Sequence, residues 1–246
     1  MAHRKGFWNT QYKKATHLEL SDEPAEDLLK FTRWLERTHG RKFLNVTTRA
    51  VDLGCGNGRN LIYLAETYGM RGVGYDTSET AITQASFAAN DLIYQGIRKN
   101  NQRDVSRDLL QFEVRSIAKP IPLPDTSVTL ALDMMSSHIL KKDEREVLRD
   151  EIVRVLRPNG WLFFKSFLLE GDQHAERLLK EHPADEEGMY IHPEIGNAEY
   201  VWTENALQEF FDPYFAIHKI DKSHKHMHKD GTAWKRRTVS VYLEKS

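Results

Sequence analysis

Three glycines and an aspartate crowd into the run Val51-Asp52-Leu53-Gly54-Cys55-Gly56-Asn57-Gly58-Arg59-Asn60, and their types and spacing suit the close approach of a ligand to the backbone. Glycine at three alternating positions lets backbone N–H groups approach a ligand with no Cβ in the way. The apolar Ala50, Val51 and Leu53 precede this loop, and Leu61, Ile62, Leu64 and Ala65 follow it at helical spacing, so it joins a strand to a helix. A helix start adds the positive end of its dipole to the same place. Downstream, Gly72-Val73-Gly74-Tyr75-Asp76 reads as a second strand that ends on a carboxylate. Asp76 stands about where a nucleotide-binding βαβ unit keeps the acid that holds a ribose. Loop and acid together imply a nucleoside-cofactor site.

The pattern G-x-G-x-G, with Asp52 two residues before the first glycine, departs from the dinucleotide fingerprint G-x-G-x-x-G. An acid there would repel a pyrophosphate but suits a cofactor with a cationic amino-acid end. The run resembles motif I of the class I S-adenosylmethionine (SAM) dependent methyltransferases, of the type 11/25-like kind, and the resemblance spans roughly residues 45 to 166. It implies SAM as cofactor. It also implies that Asp52 organises the loop and the methionine ammonium, and that Gly54, Cys55, Gly56, Asn57 and Asn60 line the methionine and sugar. Asp76 would then hold both ribose hydroxyls, a charge-assisted bidentate arrangement. Thr77 or Tyr75 would flank the adenine, and Asp133 would close the site. Where the family has an acid after strand three, this chain has Arg115-Ser116-Ile117, so Ser116 and Ile117 take that place with a weaker acceptor. A chance glycine turn and an NAD site are the competing readings.

These residues need a scaffold. Ser78 caps a helix carrying Ala81, Ile82, Ala85, Ala89 and Leu92, residues 98–108 read as an exposed loop, and Leu109 to Val114 reads as strand three. Ile121-Pro122-Leu123-Pro124-Asp125 resembles the family's turn before strand four, which spans Thr129 to Asp133. A helix from Lys142 to Leu156 then leads through Arg157-Pro158-Asn159-Gly160 into strand five. Strands alternating with helices imply an α/β, Rossmann-like, doubly wound sheet. With the alternating segments Phe215–Lys219 and Thr238–Leu243, the family resemblance predicts seven strands in the order 3-2-1-4-5-7-6, the last antiparallel. Residues 1–44 form an N-terminal extension, polar up to residue 20. Ser21 and Asp22 are then N-cap candidates, Pro24 lies in the first turn, and Leu28, Phe31 and Leu35 mark the stripe of a helix. This extension is either a lid or simple packing. Residues 45–246 form the methyltransferase domain, with an insert at about 167–200 on the side where substrates bind.

The acceptor side is less specific. Strand four ends Asp133-Met134-Met135-Ser136-Ser137-His138, without the paired prolines of enzymes that methylate base amino groups. Asp133, His138, Tyr190 and His192 are candidates for general-base work or acceptor positioning, since an imidazole titrates near neutrality; a histidine that merely starts a helix is the bland alternative. His228, Arg236 and Arg237, in a His- and Arg-bearing C-terminal stretch, are candidate acceptor contacts. That stretch resembles the terminal hairpin of the tellurite-resistance TehB-type methyltransferases, which act on chalcogen oxyanions and whose relatives act on thiols. His224, His226 and His228 alternate, which also raises a metal site; a solvated basic hairpin is the other reading, and no metal is expected.

The chain has 246 residues and 40% apolar content, enough for one α/β domain with additions. Its 35 basic and 36 acidic residues leave a net charge of −1, so no global field favours nucleic acid or a membrane. Cys55 is the one cysteine, which rules out an intrachain disulfide and leaves it a small turn residue or a nucleophile. No signal core or spanning run stands out, so a cytoplasmic protein is expected, as monomer or homodimer. The expected function is methyl transfer from SAM to a small polar or anionic acceptor. An RNA or protein methyltransferase, or a non-catalytic SAM-binding protein, are the alternatives. Titration calorimetry should show SAM and S-adenosylhomocysteine saturating the chain while NAD gives no heat; NAD binding would reverse the choice of cofactor.

Overall fold

Arg49–Leu53 (β1) and Arg71–Asp76 (β2) are buried along nearly their whole length, as strands covered on both faces must be. They pair in parallel, Arg49 opposite Arg71 through Leu53 opposite Tyr75, and β2 pairs in parallel with β3, Leu110–Val114. In this computed structural model, which describes residues 2–14, 21–99, 109–223 and 235–246, seven strands form one mixed sheet. The others are β4 (Val128–Met134), β5 (Leu156–Phe167), β8 (Phe215–Lys222) and β9 (Thr238–Lys245), and the order is β3-β2-β1-β4-β5-β9-β8. This is the expected 3-2-1-4-5-7-6 order. The numbering shifts because Met189–Ile191 (β6) and Ala198–Tyr200 (β7) pair as a separate ribbon inside the insert. The last strand, β9, runs antiparallel to both β5 and β8.

The chain divides into two compact units, residues 1–117 with 127–132 and residues 118–126 with 133–246. The first holds α1 (Ala2–Lys14), α2 (Glu26–His39), α3 (Arg59–Tyr68) and α4 (Glu79–Lys99) with β1 to β3. Leu28, Phe31, Thr32 and Leu35 form the buried stripe of α2. The N-cap expected at Ser21 or Asp22 is not used. Ser21 Oγ accepts from Glu23 N at 3.1 Å, Ala25 N donates to Asn60 Oδ1 at 3.1 Å, and the helix begins only at Glu26. Residues tied down in this way cannot also enter a helical turn. A second departure is α1 itself, a helix with no apolar stripe to announce it.

The second unit holds α5 (Lys142–Val155), α6 (Gln173–Glu181) and α7 (Glu204–Phe211) with β5 to β9. Its core is aromatic: Phe164 packs edge-on against Phe211 and Trp202, at centroid distances of 5.1 and 5.7 Å. Arg154 secures the turn before β4, donating to Ile121 O at 2.7 Å, Leu123 O at 2.8 Å and Asp125 Oδ1 at 2.7 Å. The insert is folded: α6 and the ribbon pack together through Ala175, Leu178, Tyr190 and Val201. The turn at 157–160 lies within β5, where Asn159 takes φ 57°.

Gly58 precedes α3 at φ 78°, and a Cβ there would lie 2.7 Å from Phe112 Cζ and 2.9 Å from Ala85 Cβ. The left-handed backbone alone costs a side chain about 1–2 kcal/mol. Gly58→Ala should therefore lower the urea midpoint by more than that amount implies, at unchanged m-value. An unchanged midpoint would show that this turn is not constrained.

Candidate active site

The glycine loop is fastened to the end of β2. Gly54 N and Cys55 N both donate to Tyr75 O, at 2.8 and 3.0 Å. Gly56 N donates to Asp76 Oδ2 at 3.0 Å and Ser78 N to Asp76 Oδ1 at 2.8 Å, so each carboxylate oxygen receives one amide. Each oxygen has a further lone pair, the geometry a pair of ribose hydroxyls would use. Burial raises the Asp76 pKa, opposed by these amides. Asp52 is buried at the end of β1. Cys55 packs against Gly74, where a Cβ would come within 2.7 Å of its sulfur. Burial, then the charges of Asp52 and Asp76, push its thiol pKa well up. A thiol so disfavoured as thiolate is a small turn residue and no nucleophile.

Local sequence reasoning missed Tyr12. A Cβ built on Gly56, at φ 53°, would fall 2.2 Å from the Tyr12 hydroxyl, so the bare glycine makes the cradle in which that hydroxyl sits. Burial, followed by the charge of Asp76, raises the Tyr12 pKa. Asn9 Oδ1 accepts from Ser78 Oγ at 2.9 Å and Thr80 N at 3.2 Å, and Gln84 Nε2 donates to Tyr12 O at 3.1 Å. The first helix is thus bonded to the start of α4, next to Asp76. The only hint in the sequence was aromatic residues in a polar stretch. Asn57 donates to Ser21 O at 3.1 Å and Asp22 Oδ1 at 3.2 Å, and Asn60 accepts from Ala25 N. Both asparagines, expected to line the cofactor, have side chains engaged in holding residues 21–25. Thr77 follows Asp76 half-buried, Ser116 is half-buried beyond β3, and Ile117 is buried. Glycine amides and a half-buried acid with spare lone pairs fit an adenosyl cofactor.

The second unit gathers another set. Asp133 Oδ1 accepts from Ser136 Oγ at 2.6 Å and Ser137 N at 3.1 Å, bracing the short 3₁₀ turn Ser137–Ile139. Burial raises the Asp133 pKa against those bonds. His138 is 6% exposed, its ring edge-on to Phe167 at 5.1 Å, and its Nδ1 has no hydrogen-bond partner among the described residues. Burial, assisted by the charge of Arg236 and opposed by Glu199, pushes its pKa down to about 4. Tyr190 donates to Glu199 and accepts from Arg236 Nη1. Arg236 Nε donates to Asp172 Oδ2 at 2.8 Å, and its guanidinium lies 4.2 Å from the Phe167 ring centre. Arg237 N also donates to Asp172 Oδ2, at 2.9 Å. Of the acceptor-side candidates, His138, Tyr190 and Arg236 come together around Phe167. His192 stands apart in the ribbon turn, its Nδ1 accepting from Glu194 N at 3.3 Å. His228, with His224 and His226, lies outside the described residues, and among those described no cluster of three metal-ligating side chains exists. Asp172, Glu199 and Phe167 were missed, because no local spacing links them to His138.

A seven-stranded sheet in this order, with a glycine loop after its first strand and a carboxylate ending its second, is an architecture shared with solved SAM-dependent methyltransferases. Residues 51–164, just under half of the chain, match the family model described as a methyltransferase domain. The 27-O-demethylrifamycin SV methyltransferase of Amycolatopsis mediterranei is 33% identical over 148 residues, 60% of this chain and 49% of the relative. The fatty-acid O-methyltransferase of Mycolicibacterium smegmatis is 29% identical over 178 residues, covering 72% of this chain and 58% of the relative. The chain thus spans about half the length of the curated relatives it matches. Among solved structures, the 1,6-didemethyltoxoflavin-N1-methyltransferase of Burkholderia thailandensis, holding its substrate and S-adenosylhomocysteine, superposes with a TM-score of 0.68 over 100% of this chain and 88% of its own, at 14% identity. That likeness shows the shared fold. No described helix is long and apolar enough to cross a membrane.

Because the His138 pKa lies below the 6.5 of an unfolded chain, the unfolded state binds the extra proton between those values and stability falls as pH falls. From pH 7.5 to 5 this one group should remove about 2 kcal/mol. In urea titrations at the two pH values, His138→Gln should lose correspondingly less than the parent. Equal losses would mean that His138 titrates normally.

Proposed function

We propose that this chain transfers the methyl group of SAM to a hydroxyl oxygen of a small polar acceptor. The observation that carries the acceptor half is His138: a buried, neutral imidazole with an unmatched ring nitrogen, just past the carboxyl end of β4, where open α/β sheets take their ligands. Asp52, the amides of Gly54, Cys55 and Gly56, and Asp76 would hold the cofactor, with Thr77, Ser116 and Ile117 around it and Tyr12 over Gly56. Bound there, SAM supplies an electrophilic methyl on a sulfonium, displaced in line by the acceptor oxygen. His138, unprotonated at neutral pH because burial lowers its pKa, has a free lone pair to take the hydroxyl proton as the new bond forms. Positioning and exclusion of water supply the rest. Two curated relatives whose names specify oxygen methylation support an oxygen acceptor. Of the polar and anionic classes, the polar one is favoured. Arg236, the cation expected to attract an anion, already faces Asp172 at 2.8 Å and Glu199 at 3.8 Å. A net charge of −1 likewise supports small molecules over RNA.

Two measurements test this. Asp76→Ala should weaken SAM binding by about 1–3 kcal/mol, since the ribose hydroxyls lose their partner in a partly buried site. Radiolabelled methyl transfer should appear with a panel of small phenols and alcohols and be absent with total RNA or denatured protein. Transfer to RNA alone would replace this reading.

A further inference from the structure

The buried cluster around Phe167 has a hydrogen-bond deficit with a definite shape. Arg236 uses Nε on Asp172 and Nη1 on Tyr190, while Nη2 is buried and has no partner among the described residues. His138 Nδ1 is buried and unmatched in the same way. Both groups lie against one ring, the guanidinium 4.2 Å from its centre and the imidazole 5.1 Å. An unmatched buried polar atom costs about 1–3 kcal/mol, so a molecule that satisfies both gains from each. Nη2 can only donate, which calls for a carbonyl-type oxygen. A neutral imidazole with its proton on Nε2 accepts at Nδ1, which calls for a hydroxyl. Charge sets the rest. The Arg236 guanidinium faces both Asp172 and Glu199, while Arg237 reaches Asp172 only through its backbone N–H. With two carboxylates already facing the one guanidinium, a carboxylate ligand would enter uncompensated, and an ammonium would offer Nη2 no acceptor.

We infer that the acceptor is a neutral hydroxy-carbonyl compound with a flat or apolar body, its carbonyl oxygen on Arg236 Nη2, its hydroxyl on His138 Nδ1 and its body on Phe167. This rests on the methyl-transfer reading and narrows its substrate. On transfer the hydroxyl O–H bond breaks, its proton goes to His138, the oxygen gains the methyl, and the sulfonium leaves as a neutral thioether. Asp172, Tyr190 and Glu199 are positioning residues, since they fix the plane of the Arg236 guanidinium through Nε and Nη1.

The test uses the full chain loaded with S-adenosylhomocysteine and the three hydroxyacetophenone isomers. Each is compared with the ethylphenol that lacks its carbonyl, the methoxyacetophenone that lacks its hydroxyl, and the hydroxybenzoate that adds a charge. Affinities come from saturation-transfer NMR and calorimetry. At least one hydroxy ketone should bind tenfold or more better than all three of its partners. Arg236→Lys should erase the preference over the ethylphenol, and His138→Gln the preference over the methoxy ketone. S-adenosylhomocysteine affinity and the melting temperature of each variant check that it is folded. Should a variant fail that check, the parent's ranking of the compounds decides. Normal S-adenosylhomocysteine binding with no hydroxy-ketone preference would overturn this inference alone, with ordered water then meeting the two buried atoms. Failure to bind S-adenosylhomocysteine would overturn the methyl-transfer reading and this inference with it.

Discussion

The constraint on which the cofactor half depends is the placement of the Asp76 carboxylate. Its two oxygens take the amides of Gly56 and Ser78, so one side chain joins the glycine loop to the start of α4. The backbone pair from Gly54 and Cys55 to Tyr75 O fixes the same loop from below. Glycine follows from this geometry. Gly54, Gly56 and Gly58 all have positive φ, and at Gly56 a side chain would also collide with Tyr12. A half-buried carboxylate with unused lone pairs is costly by itself. Here the loop amides offset part of that cost, and the arrangement persists because every neighbour is positioned by another bond.

How much of this was legible follows from the range of each interaction. The loop, the acid and the strand order could be read locally, since glycine spacing and apolar runs report on neighbours a few residues away. Asn57 and Asn60 were legible as members of the motif, but their bonding to residues 21–25 depends on a contact spanning some 35 positions. Tyr12 belongs with them: α1 has no apolar face, so no periodicity points to it, and its position depends on Asn9 reaching Ser78. Ser21 shows the opposite case, a good N-cap by type that a nearer backbone donor, Glu23 N, occupies.

The acceptor half was the harder to read because its parts come from five separate places. His138 follows β4, Phe167 ends β5, Asp172 caps α6, Tyr190 and Glu199 face each other across the ribbon, and Arg236 precedes β9. Register makes the meeting possible: Tyr190 pairs with Glu199, and Thr238, two residues after Arg236, pairs with Phe167. The insert is therefore bound to the terminal strand through Asp172, which caps Ala175 N with one oxygen and holds Arg236 and Arg237 with the other.

Such a cluster is a poor way to gain stability. Replacing a buried ion pair by apolar side chains of similar volume is often neutral or favourable, because desolvation offsets the attraction. Asp172 shows the balance: burial would raise its pKa, yet the hydrogen bond and charge of Arg236 hold it low. Apolar packing was available, since Ala175, Leu178 and Val201 already form a core beside Tyr190. What a buried guanidinium supplies and a leucine cannot is direction. With Nε and Nη1 taken, the remaining N–H groups of Arg236 are held in one orientation by a planar group that cannot relax. A donor fixed in that way, next to a histidine kept neutral by the same burial, is costly for folding and suited to holding one polar ligand in one pose.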